Sequence, residues 1–216
     1  MVISRRQEPV RINLGAVLVD QVDSFKYLGV HFSQDRNSMK TVRERISMGY
    51  VALGKLRKVW KDRHISLQLK LRLLSTIVIP TAIYGSECWI LKQVERNKLR
   101  AFEMNCLRRV LDIRWQDRIP NSTVREMARG WKSVIEVVED QQRRWFGHVE
   151  RMDGGRWPKM LLHGRVHGAR PRGRPRTTWW AQLRTANSHI SSQEMIHLAR
   201  DRERWKHFRR TMWDPT

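Results

Sequence analysis

The sequence predicts a mainly α protein, with a short N-terminal β-hairpin, a helical bundle after it and a basic helical tail. Three observations carry this. Apolar residues alternate with polar ones in the first 32 positions, they recur at spacings of three and four from Met39 onward, and a Gly, Pro and Arg stretch interrupts the helical pattern before it resumes.

Val10, Ile12 and Leu14 alternate with polar neighbours, Gly15 offers a turn, and Val17-Leu18-Val19 and Tyr27 to Phe32 continue the β pattern. So few strands cannot close a sheet alone, and they are expected to be the exposed edge of a larger upstream domain. From Met39, the residues Val42, Ile46, Gly49, Leu53, Leu56 and Trp60 mark one helix face, with Asn37 or Ser38 as cap. Lys40, Arg43, Arg45, Lys55, Arg57 and Lys58 occupy its other faces. A second helix starts with Ser66 as cap and runs through Leu69, Leu73 and Ile77 towards Pro80, whose missing amide and ring predict a kink or break. A third runs from about Val94 through Leu99, Phe102, Cys106 and Val110 to Ile113. Shorter helices follow from Thr123 and Ser133, the latter burying Val134, Val138, Trp145 and Val149. Asp153-Gly154-Gly155 breaks the pattern, and Gly164 to Arg176 reads as a mobile basic linker with almost nothing to bury. In the tail, Ser191 with Glu194 forms a capping box, and Met195, Leu198, Arg202, Trp205 and Phe208 follow one helix face.

The 216 residues carry 43 Lys and Arg against 21 Asp and Glu, a formal net charge of +22. That excess calls for a polyanionic partner. Nucleic acid is favoured over a membrane surface because the basic residues are spread along the chain and Arg dominates, with a planar fork that suits bidentate phosphate contact. Cys88 and Cys106 both sit inside apolar helical patterns, where a thiol packs as a small hydrophobe; this predicts a reducing, intracellular compartment, nuclear or cytoplasmic. The most hydrophobic stretch, Leu73 to Ser86, contains Pro80 and is too short to cross a bilayer, so it reads as core and no membrane partner is expected.

Several segments occur in an informative order. They are Phe25-Lys26-Tyr27-Leu28-Gly29, Ile79-Pro80 through Tyr84-Gly85-Ser86-Glu87-Cys88-Trp89, Phe102-Glu103-Met104-Asn105-Cys106-Leu107-Arg108-Arg109-Val110-Leu111, Arg114-Trp115-Gln116-Asp117-Arg118, Arg144-Trp145-Phe146-Gly147-His148-Val149, Arg151-Met152 and Arg172-Gly173-Arg174-Pro175-Arg176. Together they resemble the region after the catalytic palm in endonuclease-reverse transcriptases of animal non-LTR (LINE-type) retrotransposons, over nearly the whole chain. The resemblance implies that Phe25, Lys26, Tyr27, Leu28 and Gly29 form a primer grip and that the following helices form the thumb, which closes on template-primer. The polymerase signature of that family, two adjacent aspartates with a third upstream, should precede Phe25 by a considerable distance. No Asp-Asp pair occurs in the sequence, and phosphoryl transfer with two metal ions needs clustered carboxylates. The chain is therefore expected to be a C-terminal piece with no polymerase site and no cofactor of its own, Mg²⁺ belonging to the intact polymerase.

Pro171-Arg172-Gly173-Arg174-Pro175 also resembles an AT-hook core, although a non-specific phosphate-binding linker is the simpler reading of the same arginines. Cys88, Cys106, His163 and His167 lack the close pairing of a structural zinc site, so no metal is assigned. His148 reads as a packing or phosphate-contacting residue. Among the ten tryptophans, Trp60, Trp145 and Trp205 fall on apolar helix faces, whereas Trp115, Trp179 and Trp180 lie beside arginines, where they either pack or stack on unpaired bases.

These readings divide the chain into 1–35, a hairpin and primer-grip remnant of the palm; 36–118, a thumb-like region; 119–163, a helical extension; 164–176, the basic linker; and 177–216, a C-terminal helical region. The nucleic-acid-binding candidates are Lys40, Arg43, Lys55, Arg57, Lys58, Arg108, Arg109, Arg172, Arg174 and Arg176. The expected partners are DNA and RNA as a template-primer duplex, with an upstream palm or endonuclease domain. Two alternatives stay open: a stand-alone chromatin-associated DNA-binding protein using the AT-hook-like run, and a non-functional element remnant.

Overall fold

The computed structural model describes residues 11–33, 39–164 and 177–211, and the fold is mainly helical with short strands at its start. The chain divides into two units, Met1–Gly85 with Leu91–Trp131, and Ser86–Ile90 with Lys132–Thr216.

The first unit opens with two hairpins where the sequence predicted one. β1 (Ile12–Leu14) pairs antiparallel with β2 (Val17–Val19), and β3 (Ser24–Tyr27) with β4 (Val30–Ser33), each as a separate two-stranded ribbon. The run from Tyr27 to Phe32 is thus not one strand. Leu28 and Gly29 both take positive φ, 48° and 77°, the signature of a two-residue turn whose twist matches that of the strands it joins. β1, β2 and β3 are exposed along their whole length, in keeping with an unpartnered edge.

The helix expected from Met39 to Trp60 is two helices, α1 (Met39–Lys55) and α2 (Arg57–Lys61), separated at Leu56. The expected caps Asn37 and Ser38 lie outside the described residues. α3 (Leu67–Leu73) is capped as predicted, the Ser66 hydroxyl accepting from the Leu69 amide at 3.3 Å. Pro80 does not break the helical path. A π turn over Leu74–Val78 leads into α4 (Ile79–Ala82), and this wider turn relieves the clash of the proline ring with the preceding carbonyls. The buried residues here are Leu74, Val78, Ile79, Ala82 and Ile83, while Leu69 and Ile77 face solvent. α5 (Gln93–Val110) buries Leu99, Phe102, Cys106, Leu107 and Val110, and α6 (Asn121–Met127) packs on it through Val124. Each fully buried side chain of this size contributes roughly 1.5–3 kcal/mol by leaving water.

The second unit is built on α7 (Val134–Glu150). Ser133 caps it, and Glu136 returns a bond to the Ser133 amide at 2.9 Å. Val134, Val138 and Val149 are buried as expected, but Trp145 is only half-buried and Phe146 takes its place in the core. α8 (Trp157–His163), α9 (Trp179–Thr185), α10 (Ser192–Arg200) and α11 (Arg202–Thr211) follow. The predicted single tail helix is divided at Asp201, whose carboxylate caps α11 by accepting from the Glu203 and Arg204 amides. Phe146, Leu183, Met195, Ala199 and Trp205 form the core of this unit. Cys88 also departs from expectation. It is exposed in a short 3₁₀ turn, Ser86–Cys88, whereas Cys106 is buried.

Candidate nucleic-acid interface

Charge is unequally divided between the units. By sequence the first unit holds 25 Lys and Arg against 11 Asp and Glu, an excess of 14, while the second holds 18 against 10, an excess of 8. The larger positive excess thus falls in the first unit.

There, the break at Leu56 lets α2 place its basic residues beside the end of α5. Trp60 anchors α2: its indole is buried and donates to the Leu53 carbonyl at 2.8 Å, and Lys70 donates to the Trp60 carbonyl at 2.9 Å. Arg57, Lys58 and Lys61 stay exposed. α5 ends with Arg108 and Arg109 in its last turn, where cations oppose the negative end of the helix dipole. Asp112 closes that end in the left-handed region, φ 55°, and the Ile113 amide bonds back to the Arg108 carbonyl at 2.9 Å. The two ends enclose a cleft of about 460 Å³ lined by Arg57, Trp60, Lys61, Arg108, Arg109 and Asp112.

Three predicted residues, Arg57, Arg108 and Arg109, thus come together, and Lys61 joins them. Lys61 was not singled out from sequence, although its place one helical turn after Arg57 was a usable signal. Arg108 is committed to the fold: its guanidinium donates to the Ile119 carbonyl at 2.8 Å and to Asn121 Oδ1 at 2.9 Å, tying α5 to the start of α6. Lys55 and Lys58 are exposed close to the cleft in sequence, whereas Lys40 and Arg43 are exposed near the opposite end of α1, about 20 Å away along the helix. Arg172, Arg174 and Arg176 lie outside the described residues.

The predicted primer-grip residues sit on the second hairpin. Phe25, Tyr27 and Leu28 are more than half exposed. Lys26 pairs with Glu44 at 3.4 Å, and His31 Nε2 lies 2.7 Å from the same carboxylate. Burial works to raise Glu44, but the hydrogen bonds and charges of His31 and Lys26 outweigh it and hold the carboxyl below its ordinary value. The Gly29 carbonyl accepts from the Arg45 guanidinium at 2.9 Å, and the same guanidinium lies 4.4 Å over the Tyr84 ring. Gly29 is approached closely by Arg45 of α1, where a Cβ would overlap the guanidinium. His31 N donates to Thr41 Oγ1 at 3.1 Å, completing a polar seat for the hairpin on α1.

Other motif residues are structural. Glu103, fully buried, accepts from Trp131 Nε1 at 2.9 Å and pairs with Arg125 at 3.1 Å. Gly147 lies so close to the Trp205 indole that a Cβ would overlap it. Arg143, buried in α7, donates to Asn187 Oδ1 at 2.8 Å. His148 is exposed, its ring 5.5 Å from that of Trp145. His163 pairs with buried Glu150 at 2.7 Å, at an angle that does not make a hydrogen bond. Among the described residues no three His, Cys, Asp or Glu side chains are grouped to hold a metal, and no helix is long and apolar enough to cross a membrane.

Of the tryptophans expected either to pack or to stack, Trp179 and Trp180 pack. Both are half-buried against the second unit's core, Trp180 with its ring 5.3 Å from Phe146 and Trp179 donating to the Glu87 carbonyl at 2.7 Å. Trp115 is 81% exposed.

No family model matches the sequence, and no solved structure matches it. The chain is similar to a transposon-derived uncharacterized protein of Caenorhabditis elegans, with 25% identity over an alignment of 215 positions that covers 94% of this chain and 77% of the relative. A link to transposon-derived sequence thus spans nearly the whole chain.

Proposed function

We propose that this protein is a nucleic-acid-holding part of a retrotransposon reverse transcriptase, comparable to the primer grip, thumb and tail of the non-LTR endonuclease-reverse transcriptases. Its first unit takes template-primer across the cleft between α2 and the end of α5. The observation that carries this reading is the convergence of Arg57, Lys61 and Arg109 at one cleft in the unit with the larger positive excess. Likeness to a transposon-derived protein supports the setting. The chemistry asked of the chain is binding and orientation: guanidinium and ammonium groups replace counterions along a phosphate backbone, a sequence-independent term that steepens with each phosphate neutralised. Polymerisation, in this reading, is performed by a palm domain that supplies the carboxylates and Mg²⁺.

The test is a titration of fluorescent duplex, primer-template and single-stranded oligonucleotides across a range of salt. About five phosphates neutralised on a duplex correspond to a log–log slope near −4.5. Replacing Arg57, Lys61 and Arg109 together with Gln should make the slope shallower by about 2.7 and weaken binding to every sequence alike. A salt-independent affinity, or a triple variant that binds like the parent, refutes the cleft assignment.

A further inference from the structure

We propose that Trp115 is a stacking platform for an unpaired nucleobase, so that this part of the first unit engages a single-stranded segment as well as duplex backbone; the proposal rests on the nucleic-acid reading above. Trp115 is 81% exposed, although burial of an indole is among the larger apolar gains a small protein can make. It also stands on a pinned loop. The Ile113 amide bonds to the Arg108 carbonyl at 2.9 Å, the Arg114 amide donates to Asp117 Oδ2 at 2.7 Å, and Arg108 holds the far end through the Ile119 carbonyl and Asn121. Arg118 follows in the left-handed region, φ 49°, which turns the chain sharply after the short 3₁₀ turn Trp115–Asp117.

The residues around the indole say what it would take. Arg114 and Arg118 flank it in the loop, and Asp112 and Ile113, at the start of the same loop, line the basic cleft. A flat π surface beside guanidinium groups is the arrangement that binds single strands without reading sequence, since every base has a face to stack. A base-paired duplex has its faces already stacked and gains nothing from the indole except at an end or a gap. Trp115 therefore distinguishes unpaired from paired substrates, whereas Arg57, Lys61 and Arg109 serve both.

The full chain and its Trp115→Ala and Trp115→Phe variants would be titrated at fixed salt against a labelled thymidine strand and a covalently closed circular duplex, which has no ends, with affinities compared per phosphate. Trp115→Ala should lose roughly 5- to 100-fold affinity for the single strand and less than about twofold for the duplex, with Trp115→Phe keeping most of the single-strand affinity. Equal losses on both substrates, or no loss on the single strand, overturn the proposal while leaving the basic cleft standing. If the parent chain binds neither substrate at low salt, the nucleic-acid reading itself fails, and the stacking proposal with it. The exposed position leaves the fold unaffected, which an unchanged thermal midpoint for both variants would verify.

Discussion

Leu28 and Gly29 show what the individual residue decides. A leucine at φ 48° costs roughly 1–2 kcal/mol against a residue at ease there, and its side chain is 72% exposed, so burial offsets little of that cost. Leu28→Gly should therefore tighten the second hairpin, raising hydrogen-exchange protection of its amides about 5- to 10-fold. Gly29→Val should do the reverse, because a Cβ strains the φ of 77° and collides with the Arg45 guanidinium; the hairpin should lose protection while the helices keep theirs. Equal loss everywhere would mean that the hairpin is integral to the bundle. Glu44 adds a pH dependence. Its folded carboxyl titrates below the ordinary value of 4.5, so its contacts with His31 and Lys26 stabilise the seat fully above that value and are lost as pH falls through the depressed one. Hairpin amides should lose protection in that acid window before the helices do. The cysteines separate by accessibility: burial pushes the Cys106 thiol up to about 12, and Cys88 faces solvent although burial and then Glu87 raise it too. A thiol reagent should modify one cysteine per native chain and both after denaturation.

At the scale of the element, α7 explains a motif that sequence could only display. Arg144-Trp145-Phe146-Gly147-His148 sets Phe146 into the core and brings Gly147 against Trp205 of α11, whose indole donates to the Arg143 carbonyl at 3.0 Å. Gly147→Ala should cost about 1–3 kcal/mol by overpacking, read as a lower unfolding midpoint. Arg143→Ala should cost about 3 kcal/mol, since it removes a buried cation that bonds Asn187 and pairs with Glu139 at 3.9 Å. Arg144, exposed and paired with Asp140 one turn away, should matter far less when truncated. Comparable losses for Arg143→Ala and Arg144→Ala would contradict this division. The divided helices belong to the same scale. Apolar spacing carried through Leu56 and Asp201 as if each pair were one helix, because periodicity records which residues are buried and says little about where the axis bends.

For the whole molecule, the question is whether binding follows net charge or its placement. Replacing Arg204, Lys206 and Arg210 of α11 with Gln removes three positive charges, as does the triple replacement of Arg57, Lys61 and Arg109. If the cleft is the site, the α11 set should weaken duplex binding much less than the cleft set at the same salt, because a charge that neutralises no phosphate releases no counterions. Equal losses would mean that the protein binds as a diffuse polycation.

The sequence by itself determined the helical class, the early strands, the capping residues Ser66 and Ser191, the charge excess, and the order of the motifs in a chain similar to a transposon-derived protein. Those properties are local or compositional: a cap needs only the next turn, and a charge needs no neighbour. Tertiary structure decided what long-range contacts control. It assigned Arg108 to tying α5 and α6 together, brought Arg57 and Arg109, 52 positions apart, to one cleft with Lys61, and set Arg45 against Gly29. It also buried Phe146 ahead of Trp145 and left Trp115 in solvent. Sequence periodicity cannot rank two aromatic neighbours or choose among many arginines, because those choices depend on which elements pack together.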